Sequence, residues 1–458
     1  MKKYDLVEVE IEGIIFPSTG FGHVEGKQIR VKNTLPGQLV RARVTKMKRR
    51  FEASLVEVLR KAPGEVAPDC PMFGLCGGCS FQNIAYEAEL RLKEEMVLSV
   101  LKDGGVEGFS YEGIVPAPAA FGYRNKMEFT FGDDGPDGNL TLGLRKRGSY
   151  YETADISGCT ICDADFRAVA AYTVDFFRAS GETFYHRMKH TGALRYLVVR
   201  KGYFTGEVLV NLVTTSAIEA DLTAYAEGLR GLAYTGSLAG VLHTTSDTVA
   251  DAVKPETVKV LYGRDYYIEH LLGLTFKVSA FSFFQTNAAG AELLYATVRE
   301  FAGDTAGKTV FDLYCGTGTI AQIAAKSAKH VVGIELVEEA VAAAVVNAEA
   351  NGIGNCEFIA GDVLKVIDDV AAVPEVIVLD PPREGMHAKA LQKIGAFGAD
   401  TIVYVSCKPT SMAVDLPALA AFGYEVKRVR CHDMFPQTGH VETVVCLSHK
   451  SSETSSPS

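Results

Sequence analysis

Apolar and polar positions change rhythm three times along this 458-residue chain. From residue 4 to 60 the apolar positions come in short, partly alternating runs: DLVEVEIEGIIF, QIRVKNTL and QLVRARVTKMKRRFEASLVEVL. Glycines 13, 20, 22, 26 and 37, with Pro17 and Pro36, punctuate them. That spacing predicts about five short strands closing into a small OB-like β-barrel. Residues 63–83 read as a loop. Residues 84–103 have helical spacing, with Leu90, Val97, Leu98 and Leu101 as the apolar face and charges between them. From 111 to 278 strands and helices mix, with a strand pair at 194–202 and 206–215, as in an α+β domain. From 281 the rhythm becomes strand then helix. Strands are expected at 309–315, 330–335, 356–360, 376–380 and 401–406, and helices at 319–328 and 336–352. This is the pattern of a doubly wound α/β domain with a mainly parallel sheet. The chain thus divides into a barrel (1–62), a central α+β domain (63–280), an α/β domain (281–450) and a polar tail (451–458) with nothing to bury.

Composition changes this picture little, and charge changes it more. With 47% hydrophobic and 22% charged residues the chain is globular. Asp5, Glu8, Glu10 and Glu12 stand where a signal peptide needs an apolar run, and no apolar stretch is long enough to span a bilayer. The expectation is a cytoplasmic protein with no membrane partner, working as a monomer. The net charge of −10 argues against a nucleic-acid partner. Between Lys27 and Lys61, however, 11 Lys and Arg face only Glu52 and Glu57, so this segment carries +9 and the remainder −19. A basic module on an acidic body suits a protein that meets phosphate at one end. A solvated charged barrel face is the plainer alternative.

The first chemical signal is FDLYCGTGT. Gly316 and Gly318 allow a tight turn on which a ligand can lie without meeting a Cβ. Glu335 ends the next strand, where a carboxylate can take both ribose hydroxyls of an adenosine. Asp362, after Gly361, ends the strand after that, within reach of an adenine amine. A dinucleotide fingerprint needs a third glycine where Ala321 stands. Asp312, ahead of the turn, suits a cation better than a pyrophosphate. S-adenosylmethionine, with its sulfonium and ammonium, fits that sign of charge. The alternative is a pair of glycines that merely ends a strand.

LDPPREG (379–385) ends a strand with Asp380, and two prolines hold the chain rigid behind it. YVSCKP (404–409) ends the next with Cys407, where the following Lys408 offers a route to thiolate character. A lone cysteine is more often core than catalyst. HVETVVCL (440–447) alternates as a late strand, and Glu442 interrupts its apolar face, so that carboxylate needs a partner or a task. Thiol and carboxylate beside a methyl donor fit one difficult reaction. Carbon 5 of uracil is too weak a nucleophile to attack a sulfonium unaided. Thiolate addition at carbon 6 makes it an enolate carbon, and a base must afterwards remove the carbon 5 proton. Cys407 is the candidate nucleophile and Glu442 the candidate base.

CPMFGLCGGC places Cys70, Cys76 and Cys79 within ten residues of a ten-cysteine chain. In a reducing compartment such spacing is a metal signal rather than a disulfide framework. Tetrahedral zinc can use these ligands, although no histidine is near. Iron–sulfur clusters commonly use four thiolates, and the fourth must come from far along the chain. Arg124 and Lys126 of YRNKMEF are candidate phosphate contacts, or ordinary charges on a strand edge.

With these motifs assembled, nearly the whole chain resembles the bacterial RNA 5-methyluridine methyltransferases of the iron–sulfur type that modifies 23S ribosomal RNA. The barrel, with VKNTLPGQ, looks like a TRAM domain, and FSFFQTN (281–287) is similar to the family's FFQ-N motif. YCGTGT, GIE, LDPPR, YVSCKP and HVETVV follow in family order. LDPPR replaces LDP-A-R, and Thr319 stands where some members have Asn; neither removes a catalytic group. The resemblance implies S-adenosylmethionine as methyl donor, with Gln285 beside donor and target base. It implies that Tyr314, Gly316, Glu335, Asp362 and Asp380 meet the donor or the target. It also implies a [4Fe–4S] cluster on Cys70, Cys76, Cys79 and Cys159, with Cys162 as rival fourth ligand, and an RNA partner. 23S ribosomal RNA is preferred there over transfer RNA because barrel and cluster accompany the catalytic domain in that branch. Two further readings stay open: a redox or radical iron–sulfur enzyme, and a non-catalytic RNA-binding module.

Overall fold

The computed structural model describes residues 2–46, 50–135, 138–249 and 255–450. Lys48 and Arg49 of the basic segment, and the tail at 451–458, lie outside the described residues. The barrel has six strands, and one of them, Thr19–Val24, falls outside the runs read from the sequence. Along Leu39–Lys46 the residues Val40, Ala42 and Val44 turn inward while Arg43 faces water, as period-two alternation dictates. They pack on Val9, Ile11, Ile29 and Val31, each buried aliphatic stabilising the fold by roughly 1.5–3 kcal/mol. Gly22 closes the barrel: a Cβ there would lie 2.0 Å from the Glu10 carbonyl oxygen.

The central sheet has seven strands. Lys126–Asp133, Leu194–Lys201 and Glu207–Thr214 run antiparallel through its middle, and Glu207–Thr214 pairs in parallel with Ser237–Thr245. Leu194–Lys201 is buried almost end to end. Helices Ala164–Ser180 and Leu222–Arg230 pack on this sheet around Phe166, Phe177 and Tyr225. The side chain of Asp163 caps the first helix, and Gly181 ends it in the left-handed conformation.

The third sheet has eight strands. Its five parallel members, in spatial order, are Cys356–Ala360, His330–Glu335, Thr309–Leu313, Val376–Leu379 and Thr401–Ser406. Their Val, Ile and Leu runs are buried on both faces, as a helix-covered parallel sheet requires. Glu442–His449 then enters antiparallel, followed by Tyr424–His432.

The eighth strand corrects the expected domain division. Ser110–Val115 pairs in parallel with Tyr424–His432, so the segment 63–280 is not one body. Helix Tyr86–Asp103 also packs on Pro409–Ala420; a Cβ on Gly104 would stand 2.8 Å from that of Ala413. The hairpin Tyr266–Leu271 and Leu274–Ser279 shares its core with helix Ala288–Ala302. The helix face needs correction too. The buried positions of Tyr86–Asp103 include Glu89 and Lys93 among Met96, Val97 and Leu101. Lys93 is fully buried between Glu89 at 2.7 Å and Asp433 at 2.6 Å. The pairing is what makes a buried ammonium tolerable.

Candidate active site

All the candidate catalytic and donor-site side chains except Gln285 arrive at the carboxyl edge of the eight-stranded sheet, because successive parallel strands end there in register. Leu313 pairs with Ile334 and with Leu379, and Leu379 with Tyr404. Tyr314, Glu335, Asp380 and Cys407 therefore follow their strands into one region. A cavity of about 1010 Å³ opens there, lined by Tyr314, Gly316, Glu335, Asp362 and Asp380 and walled by Ser279, Phe281, Ser282 and Phe283. Its floor is main chain. Tyr314, Gly316 and Gly318 have φ of 67°, 54° and 72°, left-handed positions held by N–H bonds from Tyr314 and Cys315 to the Ile334 carbonyl at 2.9 and 3.1 Å. A Cβ on Gly316 would meet nothing within 4 Å, whereas one on Gly318 would stand 2.7 Å from the Phe358 ring. Gly316 thus serves turn conformation and Gly318 also serves close packing. The Glu335 carboxylate accepts from the Gly316 and Val337 N–H groups, each at 3.0 Å, which fixes its direction. Asp362 accepts from Leu364 N–H at 3.0 Å as the cap of a short helix.

Asp312 does not play the part expected of it. It is fully buried and lies outside the cavity lining. Burial, and next the charge of Asp380, push its carboxyl well above the usual range.

Cys407 and Glu442 meet across a strand pair. Ser406 is opposite Thr443 in the antiparallel register of Thr401–Ser406 and Glu442–His449, so the next position on each strand sets Cys407 against Glu442. Burial, and then the Glu442 charge, push the Cys407 thiol up to about 11, against a hydrogen bond from Arg383 that pulls it down. Lys408, the expected activator, has no part in this; its backbone N–H donates to Ser406 Oγ at 3.1 Å as the helix Pro409–Ala420 begins. Glu442, 4% exposed, is raised to about 8 by burial and by Asp380. Asp380 itself is raised to about 7 by burial. The free protein therefore holds nucleophile and base largely protonated near neutral pH. Gln285 sits on the irregular segment before helix Ala288–Ala302, outside the cavity lining. Its side chain hydrogen-bonds Tyr295, a tyrosine within the field of Asp380 and Glu442, which puts it on the catalytic side of the edge.

Two parts of this site were missed in the sequence. Arg383 lay in plain view in LDPPR, one turn after Asp380. The other is the segment 433–441, which leads into Glu442. Lys93 holds Asp433, and Glu89 accepts from Gln437 N–H at 2.7 Å. Ser80 and Phe81 N–H groups donate to the Gln437 carbonyl at 2.7 and 3.1 Å, and Tyr123 Oη to the Pro436 carbonyl at 2.9 Å. Asn287 Nδ2 donates to the Met434 carbonyl at 3.0 Å. A Cβ on Gly439 would lie 2.0 Å from the Pro17 carbonyl oxygen of the barrel. The signal was an i,i+4 acid–base pair, Glu89 and Lys93, on the face where apolar residues were expected.

The cysteine loop lies beside this segment. The Cys76 thiol is within electrostatic reach of Cys70 and Cys159, and the Cys79 thiol of Cys76 and Cys159. Gly78 N–H donates to Cys76 Sγ and Gln82 Nε2 to Cys79 Sγ, both at 3.3 Å. Arg147 ties the Cys76 and Cys79 carbonyls together, and Arg167 those of Cys159 and Cys162. A hydrogen bond from Cys162 holds the Cys159 thiol down to about 6. Cys162 is 1% exposed, with its Sγ toward the Asp163 carbonyl at 3.5 Å. All ten cysteines are free, and among the described residues no three His, Cys, Asp or Glu side chains converge as a metal-binding group. Arg124 lies over the Phe435 and Tyr123 rings, 5.8 and 5.9 Å from their centroids, between the cysteine loop and the catalytic segment. Lys126 is partly buried, and burial pushes its ammonium down. On the barrel, Arg41 pairs with Glu57 and Glu8, Lys46 with Glu52 and Arg60 with Glu10. A second cavity, of about 850 Å³, runs between barrel and cysteine loop and is lined by Arg30, Lys32, Lys61 and Arg147.

A doubly wound sheet with a cavity at its carboxyl edge, a glycine turn beneath it and Glu335 at the end of the second strand is the setting in which α/β proteins hold an adenosine-bearing ligand. The chain's relatives give the class as S-adenosylmethionine-dependent methyltransferase. Residues 252–450 match the tRNA (uracil-5-)-methyltransferase family, and residues 5–54 match the TRAM domain. An RNA methyltransferase of Clostridium acetobutylicum is 49% identical over 451 residues, covering 98% of this chain and 99% of that protein. One from Chlorobaculum tepidum is 36% identical, covering 97% of each. The crystal structure of Pyrococcus abyssi tRNA (uracil-54, C5)-methyltransferase with S-adenosyl-L-homocysteine superimposes with a TM-score of 0.77. It is 28% identical and spans 96% of this chain and 99% of that one. The chain belongs to the TRAM-containing RNA (uracil-5-)-methyltransferase family, S-adenosylmethionine-dependent enzymes acting on carbon 5 of uracil. No helix among the described residues is long and apolar enough to cross a membrane.

Proposed function

We propose that this enzyme, in the cytoplasm, methylates a specific uridine through a covalent bond between Cys407 and carbon 6. The observation that carries the reading is the meeting of Cys407 and Glu442 across one strand pair, next to Asp380, which also lines the donor cavity. Glu335 and Asp362 hold the adenosine end of the donor, and Tyr314 and Gly316 form the surface under it. Once the uridine is bound, Cys407 and Glu442 release their protons to water; the Cys407 thiolate forms the S–C6 bond, and the C5–C6 electron pair shifts into the enolate. Carbon 5 takes the methyl group from the sulfonium, leaving S-adenosylhomocysteine. Glu442 removes the carbon 5 proton, the C5–C6 double bond re-forms, and the S–C6 bond breaks to return the thiolate. Arg383 steadies the sulfur anion at both ends of this sequence. Gln285, held by Tyr295, reads the polar edge of the base.

Cys70, Cys76, Cys79 and Cys159 would hold a [4Fe–4S] cluster. Supporting this are four free thiols, with Cys76 in electrostatic reach of Cys70, Cys79 and Cys159 and Cys79 in reach of Cys159, and N–H donors on two of the sulfurs. The side chains must turn toward one another for it, since they do not converge as they stand. The steps above need no electron transfer, so the cluster would tie the loop that carries segment 433–441. Iron and acid-labile sulfide in anaerobically purified protein, lost in Cys79→Ala, test the assignment.

The basic cavity between barrel and cysteine loop suits an RNA backbone. For the RNA itself, 23S ribosomal RNA is the first reading, from the resemblance. Transfer RNA is the second, because the Pyrococcus abyssi tRNA enzyme spans 96% of this chain, barrel included, so this architecture does not separate the two. The test is transfer of labelled methyl from S-adenosylmethionine to unmodified 23S ribosomal and transfer RNA transcripts, with Cys407→Ala as control. Label as 5-methyluridine in one RNA only, absent with the variant, is the expected result. Label that survives Cys407→Ala sinks the covalent route.

A further inference from the structure

One buried cation has no part in those steps. Arg200, on the strand Leu194–Lys201 of the central sheet, is 2% exposed. Its Nη1 donates to the Ser279 carbonyl at 2.6 Å and its Nη2 to the Ser282 carbonyl at 2.5 Å. Its Nε has no partner among the described residues. On the next strand the register places Lys126, a second cation, opposite it. Burial works against the guanidinium's charge, and Tyr267 and Glu128 favour it only in part. A cation kept in a sheet interior at such cost is retained for what it binds.

What it binds is the wall of the donor cavity. Ser279, Phe281, Ser282 and Phe283 line that cavity, and Gln285 follows two residues later. The stretch 280–287 has no helix or strand to hold it. Its other ties are Ser282 N–H to Ser279 Oγ at 3.1 Å with the two hydroxyls 2.8 Å apart, Thr317 Oγ1 to the Phe283 carbonyl at 3.4 Å, Asn125 N–H to the Thr286 carbonyl at 2.9 Å, Asn287 Nδ2 to the Met434 carbonyl at 3.0 Å, and the Phe284 ring packed 5.7 Å from that of Phe276; of these only the Ser279–Ser282 and Thr317 bonds act on 281–283. The planar guanidinium fork spans two carbonyls three residues apart, which a lysine point charge does less well.

We propose that Arg200 is a positioning residue for methyl donation. From the central sheet it fixes the 279–283 wall through its main chain, and so sets how tightly the donor is held without touching it. The inference rests on the donor-cavity reading above. The chain contains no tryptophan, so Phe283→Trp, at a wall position 67% exposed, gives a reporter without background. Full-length native protein, Arg200→Met and Arg200→Lys are compared for binding, kinetics and Tm, and Phe283→Trp alone and combined with each of them is used for anisotropy only. The readouts are Kd for S-adenosylhomocysteine, KM for the donor and for RNA, tryptophan anisotropy and Tm. Arg200→Met is expected to raise the Kd and donor KM about tenfold, as loss of charged hydrogen bonds does. It should also lower the anisotropy and leave the RNA KM in place, with Arg200→Lys restoring part of the loss. Native Kd and anisotropy in both variants overturn the proposal. So does a parallel fall of every readout with Tm, which marks a merely structural role. Should Arg200→Met fail to fold, Arg200→Lys decides on the same criteria. If the parent protein binds no S-adenosylhomocysteine, the donor-cavity reading falls, and this inference with it.

Discussion

The donor half and the catalytic half of the active edge are built on opposite plans. The donor half is centred on main chain, a left-handed turn whose Gly316 N–H orients Glu335, with the 279–283 wall and the strand-end carboxylates set around it. It is assembled before any ligand arrives. The catalytic half takes single side chains from three separate segments: Asp380 and Arg383, Cys407, and Glu442. Burial keeps the thiol and both carboxyls above their usual ranges. It is assembled but uncharged. The difference teaches that one edge can be rigid for the partner it binds every cycle and silent toward the partner it must react with only once positioned.

If this contrast is real, damage to the two halves should separate. The largest effect belongs to Cys407→Ala, expected to lower methyl transfer at least about a thousandfold with S-adenosylhomocysteine affinity unchanged by calorimetry. Loss of both together would erase the distinction. Next, Glu442→Gln should leave the carbon 5 proton in place and accumulate a protein–RNA adduct, seen as a slow band on a denaturing gel. No band under single-turnover conditions removes Glu442 as the base. Arg383→Met is expected to cut kcat by about a hundredfold with little change in donor KM. Glu335→Gln should do the reverse, raising donor KM about tenfold while kcat holds.

The smallest effect is on stability and has a definite sign. Glu442 titrates at about 8 in the fold against an ordinary 4.5, so the folded state holds this proton more tightly. That contribution is complete at low pH and is lost as pH rises from about 4.5 through about 8. Glutamine cannot ionise. Glu442→Gln should therefore match the parent near pH 4 and melt higher at pH 8, by roughly 2 °C. A lower Tm at pH 8 would contradict the buried, unpaired state of this acid.

The same contrast explains what could be read in advance. The donor half was legible because Gly316, Gly318 and Glu335 lie within one strand–turn–helix–strand unit, where spacing in sequence is spacing in space. Cys407 and Glu442 were found as residue types, but their activation was misread. Lys408 is adjacent in sequence but is not among the groups that shift the thiol, while Arg383, 24 positions earlier, reaches it. Asp312 is a further case: sequence shows a carboxylate before the turn but not that it is fully buried and outside the cavity lining. Helix Tyr86–Asp103 and strand Ser110–Val115 were assigned to the wrong body because neither has a local signal of its partner. The buried Glu89–Lys93 pair and the segment 433–441 depend on contacts over 340 residues apart, beyond any periodicity.

The raised thiol of Cys407 also bears on how this enzyme ages. Peroxide attacks thiolates, not thiols, and the first product, a sulfenic acid, leads on to irreversible forms. With burial pushing the sulfur up to about 11, the reactive anion is a small minority at neutral pH. A nucleophile that stays inert while the enzyme waits for its RNA is thereby shielded from oxidants for most of the protein's life.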